Sequence, residues 1–118
     1  MAKDYFQIST EHGVNLVRVT LPAAMDAAEF DRINKEMLAI LEGRADGRWA
    51  LDLSGVDYMG SSMLGLLVNI RQLIHSAGGT IVLCGLSPAL ATIFRSCCLE
   101  KLFIAVATPA DAVRRARK

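Results

Sequence analysis

The chain has no apolar run long enough to cross a bilayer, which takes about 18 uninterrupted residues, so direct membrane insertion is not expected. Its opening residues, Met1-Ala-Lys-Asp-Tyr5, hold no apolar h-region, which argues against a secretory signal. An excess of one charge sign is missing too. Thirteen Lys and Arg against twelve Asp and Glu leave a net charge of +1, whereas a broad nucleic-acid surface needs a strongly basic face. The one basic cluster, Arg114-Arg115-Ala116-Arg117-Lys118, reads as the solvated end of a helix. Cysteine is scarce: Cys84, Cys97 and Cys98 are odd in number and lack framework spacing, which points to reduced thiols in a cytoplasmic protein. Cys97 and Cys98 are expected to be buried as small apolar side chains.

Ligand motifs are missing as well. His12 and His75 lie far apart, and no Cys-x-x-Cys or His-x-x-x-His pair exists to hold a metal. Nothing approaches the glycine-rich phosphate loops, so no cofactor is implied. The segment Gly60-Ser-Ser-Met-Leu-Gly65 departs from the Gly-x-Ser-x-Gly nucleophile elbow. A serine nucleophile also needs a base within reach. His75 falls about four turns down the same helix, on the order of 20 Å away, so no enzymatic activity is expected.

What is present is a regular alternation of strands and helices in one domain, residues 1–118, rich enough in apolar residues (53%) to bury a core. Residues 4–9 and 14–21 read as strands joined by a turn at Glu11-His12-Gly13. The second strand alternates with one slip, at Leu16-Val17. Asp26 reads as the cap of a helix reaching about Leu41, with Glu29 at the capping-box position and Met25 and Phe30 as a staple. Residues 49–53 form a strand, and residues 61–77 a helix whose apolar positions cover most of its circumference. Thr80 to Cys84 is a strand. Ser87-Pro88 opens a helix to about Cys98, residues 103–106 are a last strand, and Thr108-Pro109 opens a final helix. The order is β-β-α-β-α-β-α-β-α, an α/β domain with a mixed, mostly parallel sheet.

Interest therefore concentrates on Leu51 to Val68, a strand that passes through a short loop into a helix start, where α/β proteins place their working groups. Two hydroxyls stand there. Ser61 or Ser62 caps the helix by satisfying a free N–H, or one of them accepts a phosphoryl group. A phosphate would add about two negative charges beside the positive helix end and alter a surface that a partner reads.

Leu51-Asp-Leu-Ser-Gly-Val-Asp-Tyr-Met-Gly-Ser-Ser-Met-Leu-Gly65 resembles the signature of STAS domains, in particular the bacterial anti-sigma factor antagonists. Asp26 stands where that family has the Asp of its Gly-x-Leu-Asp segment. Gly78-Gly79-Thr-Ile-Val-Leu-Cys-Gly-Leu-Ser-Pro88 resembles its strand and turn, and Leu99 to Phe103 its apolar segment before the last strand. The resemblance spans roughly residues 5–115. It implies a regulator that binds an anti-sigma factor that is also a serine kinase. Phosphorylation breaks that complex and a phosphatase restores it. By position the phosphoacceptor is Ser61, with Ser62 second, and the partner surface includes Asp26, Ser54, Tyr58, Met59, Gly60, Ser62 and Met63. Three places depart from the family: Gly60 replaces an Asp, Met63 replaces a glycine, and Leu21-Pro-Ala-Ala-Met25 replaces a glycine-containing turn. At Met63 this predicts an apolar side chain on the binding surface. A second reading is a stand-alone STAS subunit of a membrane transporter of the lipid-exporting ABC kind, and a third is a small-molecule or nucleotide sensor on the same fold.

Overall fold

The computed structural model describes residues 5–22 and 24–118. The expectations at Met1–Asp4, including the start of the first strand at Asp4, and at Ala23 in the helix entry lie outside these residues.

The first two strands, β1 (Phe6–Glu11) and β2 (Val14–Thr20), form an antiparallel hairpin. His12 and Gly13 both take positive φ (52° and 78°), the turn geometry that matches the twist of a two-residue hairpin. Helix α1 (Ala27–Leu41) follows, then β3 (Arg48–Gly55), α2 (Ser61–Ser76), β4 (Thr80–Cys84), α3 (Pro88–Ser96), a short 3-10 turn (Leu99–Lys101), β5 (Ile104–Val106) and α4 (Pro109–Ala116). The expected order holds throughout. The five strands lie in sequence order, and every pair after the opening hairpin is parallel.

Both faces of the sheet are covered, and the strands are patterned accordingly. Val17, Val19, Trp49, Leu51, Leu53 and Leu83 join the main core with Ile33 and Met37 of α1, Leu67 and Ile70 of α2, and Phe94 of α3. On the opposite face Val14, Ala50, Val82 and Cys84 pack against Ala112, Val113 and Ala116 of α4, with Leu16 beside them. The Leu16-Val17 slip now has a cause: consecutive residues of β2 enter two different cores. Small residues in the middle of β3 and β4 let α4 sit close to the sheet. Trp49, fully buried, donates its indole N–H to the Arg44 carbonyl (3.1 Å), so the largest core side chain leaves no polar atom unpaired.

Three caps form as the sequence implies. Asp26 Oδ1 accepts the Glu29 N–H (2.7 Å), Ser87 Oγ accepts the Leu90 N–H (3.1 Å) and Thr108 Oγ1 accepts the Asp111 N–H (3.1 Å). Two expectations are corrected. α3 ends at Ser96, and Cys97 and Cys98 are exposed rather than buried, because Cys98 turns left-handed (φ 60°) and directs the chain so that Leu99 and Phe103 fill the core instead. α2 is less enclosed than its composition suggests, since Leu73 is 41% exposed and Ala77 is also exposed.

Candidate partner-binding site

β3 carries one more residue than its neighbour at the exit from the sheet: Arg18 pairs with Asp52 and Thr20 with Gly55, three steps against two. The slip turns the chain out of the sheet, and Val56 N–H closes the turn on the Leu53 carbonyl (3.0 Å). The loop is then pinned at both ends, for Val56 and Met59 are each 2% exposed within the main core. Asp57 and Tyr58 between them have nowhere to go but outward, and Tyr58 is 70% exposed, the most exposed large apolar side chain described.

α2 starts directly after this loop. Gly60 takes the cap position with extended backbone (φ −80°, ψ 176°) and offers no side chain to the helix. Neither Ser61 nor Ser62 caps it: the chain becomes helical at Ser61, so both hydroxyls stand in the first turn and are exposed to solvent. The cap and the two hydroxyls are thus separate positions. The positive end of α2 is left without a capping side chain.

The entry to α1 faces the same loop. Together they form a groove of about 880 Å³ at the carboxyl ends of the parallel strands. Asp26, Asp57, Tyr58, Gly60, Ser61 and Ser62 line it above an apolar floor. Leu21, Met25 and Phe30 supply part of that floor; the sequence pattern marked Met25 and Phe30 only as a helix staple. Both charged lining residues are acidic, and no Lys, Arg or His lines the groove among the described residues. Tyr5 braces this end of α1, donating its hydroxyl to Glu29 Oε2 (2.9 Å); burial and then the Glu29 carboxylate push the phenol above its ordinary pKa.

Three of the expected surface residues lie off the exposed rim of the groove. Met59 and Met63 line the groove but are 2% and 4% exposed, so their side chains pack into the core as its floor. Met63 therefore does not present an added apolar surface. Ser54 does not line the groove, because it lies before the turn and packs near Gly85. The two histidines sit away from the serines. His75 is in the last turn of α2, and His12 is in the hairpin at the amino ends of the parallel strands.

A five-stranded mixed sheet with helices on both faces and a groove at one strand end defines the class, a single α/β domain. The family model of the STAS domain matches residues 5–115, and the chain belongs to that family. It is 28% identical over 82 residues to an anti-sigma F factor antagonist of Paenibacillus polymyxa, covering 70% of each chain. Its fold is similar to that of an anti-sigma-factor antagonist (STAS) domain protein from Planctomyces limnophilus, at 22% identity and a TM-score of 0.82, over 96% of this chain and 98% of that one. It is also similar to SpoIIAA, a Bacillus cell fate determinant solved in its phosphorylated form, at 21% identity and a TM-score of 0.65, over 95% and 99% of the two chains.

Proposed function

We propose that the chain is an anti-sigma factor antagonist that binds an anti-sigma factor/serine kinase through the groove, in a partner-switching pathway controlled by phosphorylation of Ser61. The observation that carries this reading is the setting of Ser61. It is exposed in the first turn of α2, beside an exposed tyrosine, in a groove whose charged lining residues, among those described, are Asp26 and Asp57. Binding is the chemistry this arrangement offers. Unmodified, the rim presents hydroxyls, an aromatic ring and two carboxylates over an apolar floor. A phosphate on Ser61 adds about two negative charges where two already stand and, among the described residues, no lining cation offsets them. The helix end tolerates the phosphate, so the domain stays folded while the surface ceases to match its partner. Asp26, Tyr58, Gly60 and Ser62 form the contact rim, with Met59 and Met63 beneath it.

Phos-tag electrophoresis after incubation with the cognate kinase and ATP tests the modification. A single shifted species that disappears in Ser61→Ala is expected, and removal of the phosphate by the cognate phosphatase restores the fast band. Ser61→Asp that binds the partner as well as wild type would sink the switch. Retrieval of a permease and its ATPase in place of a kinase would instead favour the transporter-subunit reading.

A further inference from the structure

Among the described residues Asp52 is the one buried charged side chain, 4% exposed, and it lies outside the groove on the α4 face of the sheet. A buried carboxylate is costly unless it is hydrogen-bonded or paired. Asp52 is both. Its Oδ1 accepts the Ser54 N–H (3.0 Å), and its Oδ2 lies 3.7 Å from Nε of the largely exposed Arg18, its cross-strand neighbour. These contacts fall at the place where β3 holds its extra residue and the chain leaves for the groove. Gly85, at the exit of β4 with φ 73°, closes over the same spot. A Cβ there would stand 2.9 Å from Asp52 Oδ1 and 3.0 Å from the Ser54 nitrogen.

We infer that Asp52 is a positioning residue for the groove: its carboxylate fixes the strand bulge and so aims Val56 to Gly60, and with them Tyr58 and the start of α2, toward α1. The loop has buried anchors at Val56 and Met59, but the direction in which it leaves the sheet is set one step earlier, at Ser54. An Oδ1 acceptor two residues back holds that direction without occupying the groove. The bulge explains why a carboxylate stands where the flanking positions of the strand, Leu51 and Leu53, are apolar.

The inference about the groove's use rests on the proposed function, and the experiment separates the two. Amide hydrogen exchange is measured on the free protein, and affinity for the cognate anti-sigma kinase is measured alongside. In the wild-type chain the Ser54 amide exchanges about tenfold or more below its random-coil rate although the residue is exposed. In Asp52→Ala exchange accelerates at Ser54 and through residues 57–62, while amides in the middle of α1 and in α4 keep their protection. Partner affinity falls by about tenfold or more. Asp52→Asn, which retains Oδ1 as an acceptor, restores both readouts, and Arg18→Ala leaves both near wild type. An unprotected Ser54 amide in the wild type overturns the positioning role, as does acceleration in Asp52→Ala spread evenly over the sheet. Local acceleration with unchanged partner affinity supports the clamp and overturns the groove as the binding surface.

Discussion

Cys84 lies with Ala50 and Val82 under α4, where burial, then the carboxylates of Asp52 and Asp111, push its thiol up to about 12 from an ordinary 9.0. The sign of the resulting pH dependence is fixed. Below pH 9 the thiol is protonated in folded and unfolded chains alike, so its contribution to stability is fully present. Between pH 9 and 12 the unfolded chain loses its proton first, and stability falls as pH rises. Tyr5, raised from 10.0, acts in the same sense. Urea titrations from pH 8 upward will show this decline, and Cys84→Ala will remove the part that begins near pH 9. Thiol labelling of the native protein will modify Cys97 and Cys98 quickly and Cys84 only on unfolding. The exposure of Cys97 and Cys98 was not legible in the sequence. It depends on the left-handed turn at Cys98, which no glycine announces. Asp52 was hidden for a related reason. A lone acid between two leucines of a strand reads as an ordinary polar position until the opposite face proves to be covered.

At the scale of elements, α2 is the helix whose ends carry the testable consequences. Gly60 caps it without a side chain, and a Cβ there would come no closer than 3.9 Å to Tyr58. Gly60→Asp therefore fits and caps the first turn. It is expected to stabilise the fold by about 0.5 kcal/mol, read as a raised urea midpoint with an unchanged m-value. Two glycines of this segment should respond oppositely to alanine. Gly65 lies in the helix interior with nothing within 4 Å of its missing Cβ, so Gly65→Ala should stabilise by about 0.5–1 kcal/mol. Gly79, just before β4, lies against backbone: a Cβ would stand 2.6 Å from the Gly47 carbonyl oxygen, so Gly79→Ala should destabilise by about 1–3 kcal/mol. Caps and stops made the helices legible, because Asp26, Ser87-Pro88, Thr108-Pro109 and Gly43 each have a local reason to stand where they do. The start of α2 was legible in position but not in detail. Two serines after a glycine satisfy the capping preference equally well one residue earlier or later, and only the extended backbone at Gly60 settles which residue is the cap.

For the whole molecule, the parallel pairing after the opening hairpin followed from the alternation of elements, since a helix between strands returns the chain to the same end of the sheet; the spatial order of the strands did not. The side of the sheet that α4 covers did not follow. It is encoded in the small Ala50, Val82 and Cys84, which look like ordinary strand residues until the helix lies on them. The groove combined both kinds of information. Asp26, Tyr58, Gly60, Ser61 and Ser62 were found by motif, and the fold brings them together at one strand end. Ser54 and the two methionines were found by the same motif but serve the loop's exit and the groove's floor. Burial separates Met59 and Met63, in the floor, from the residues of the rim, and position before the turn sets Ser54 apart. The two carboxylates of the lining, Asp26 and Asp57, have a consequence at this scale as well: raised salt should change the partner's association rate more than the stability of the free domain.

Under the proposed function, one phosphate on Ser61 converts a binding groove into a repelling one. The most direct measurement is the dissociation constant for the cognate anti-sigma kinase, taken before and after stoichiometric phosphorylation, with the modified residue mapped by mass spectrometry. A phosphate on Ser61 with affinity lowered by about tenfold or more is the predicted result. A phosphate on another residue, or an unchanged dissociation constant with Ser61 fully modified, would contradict it.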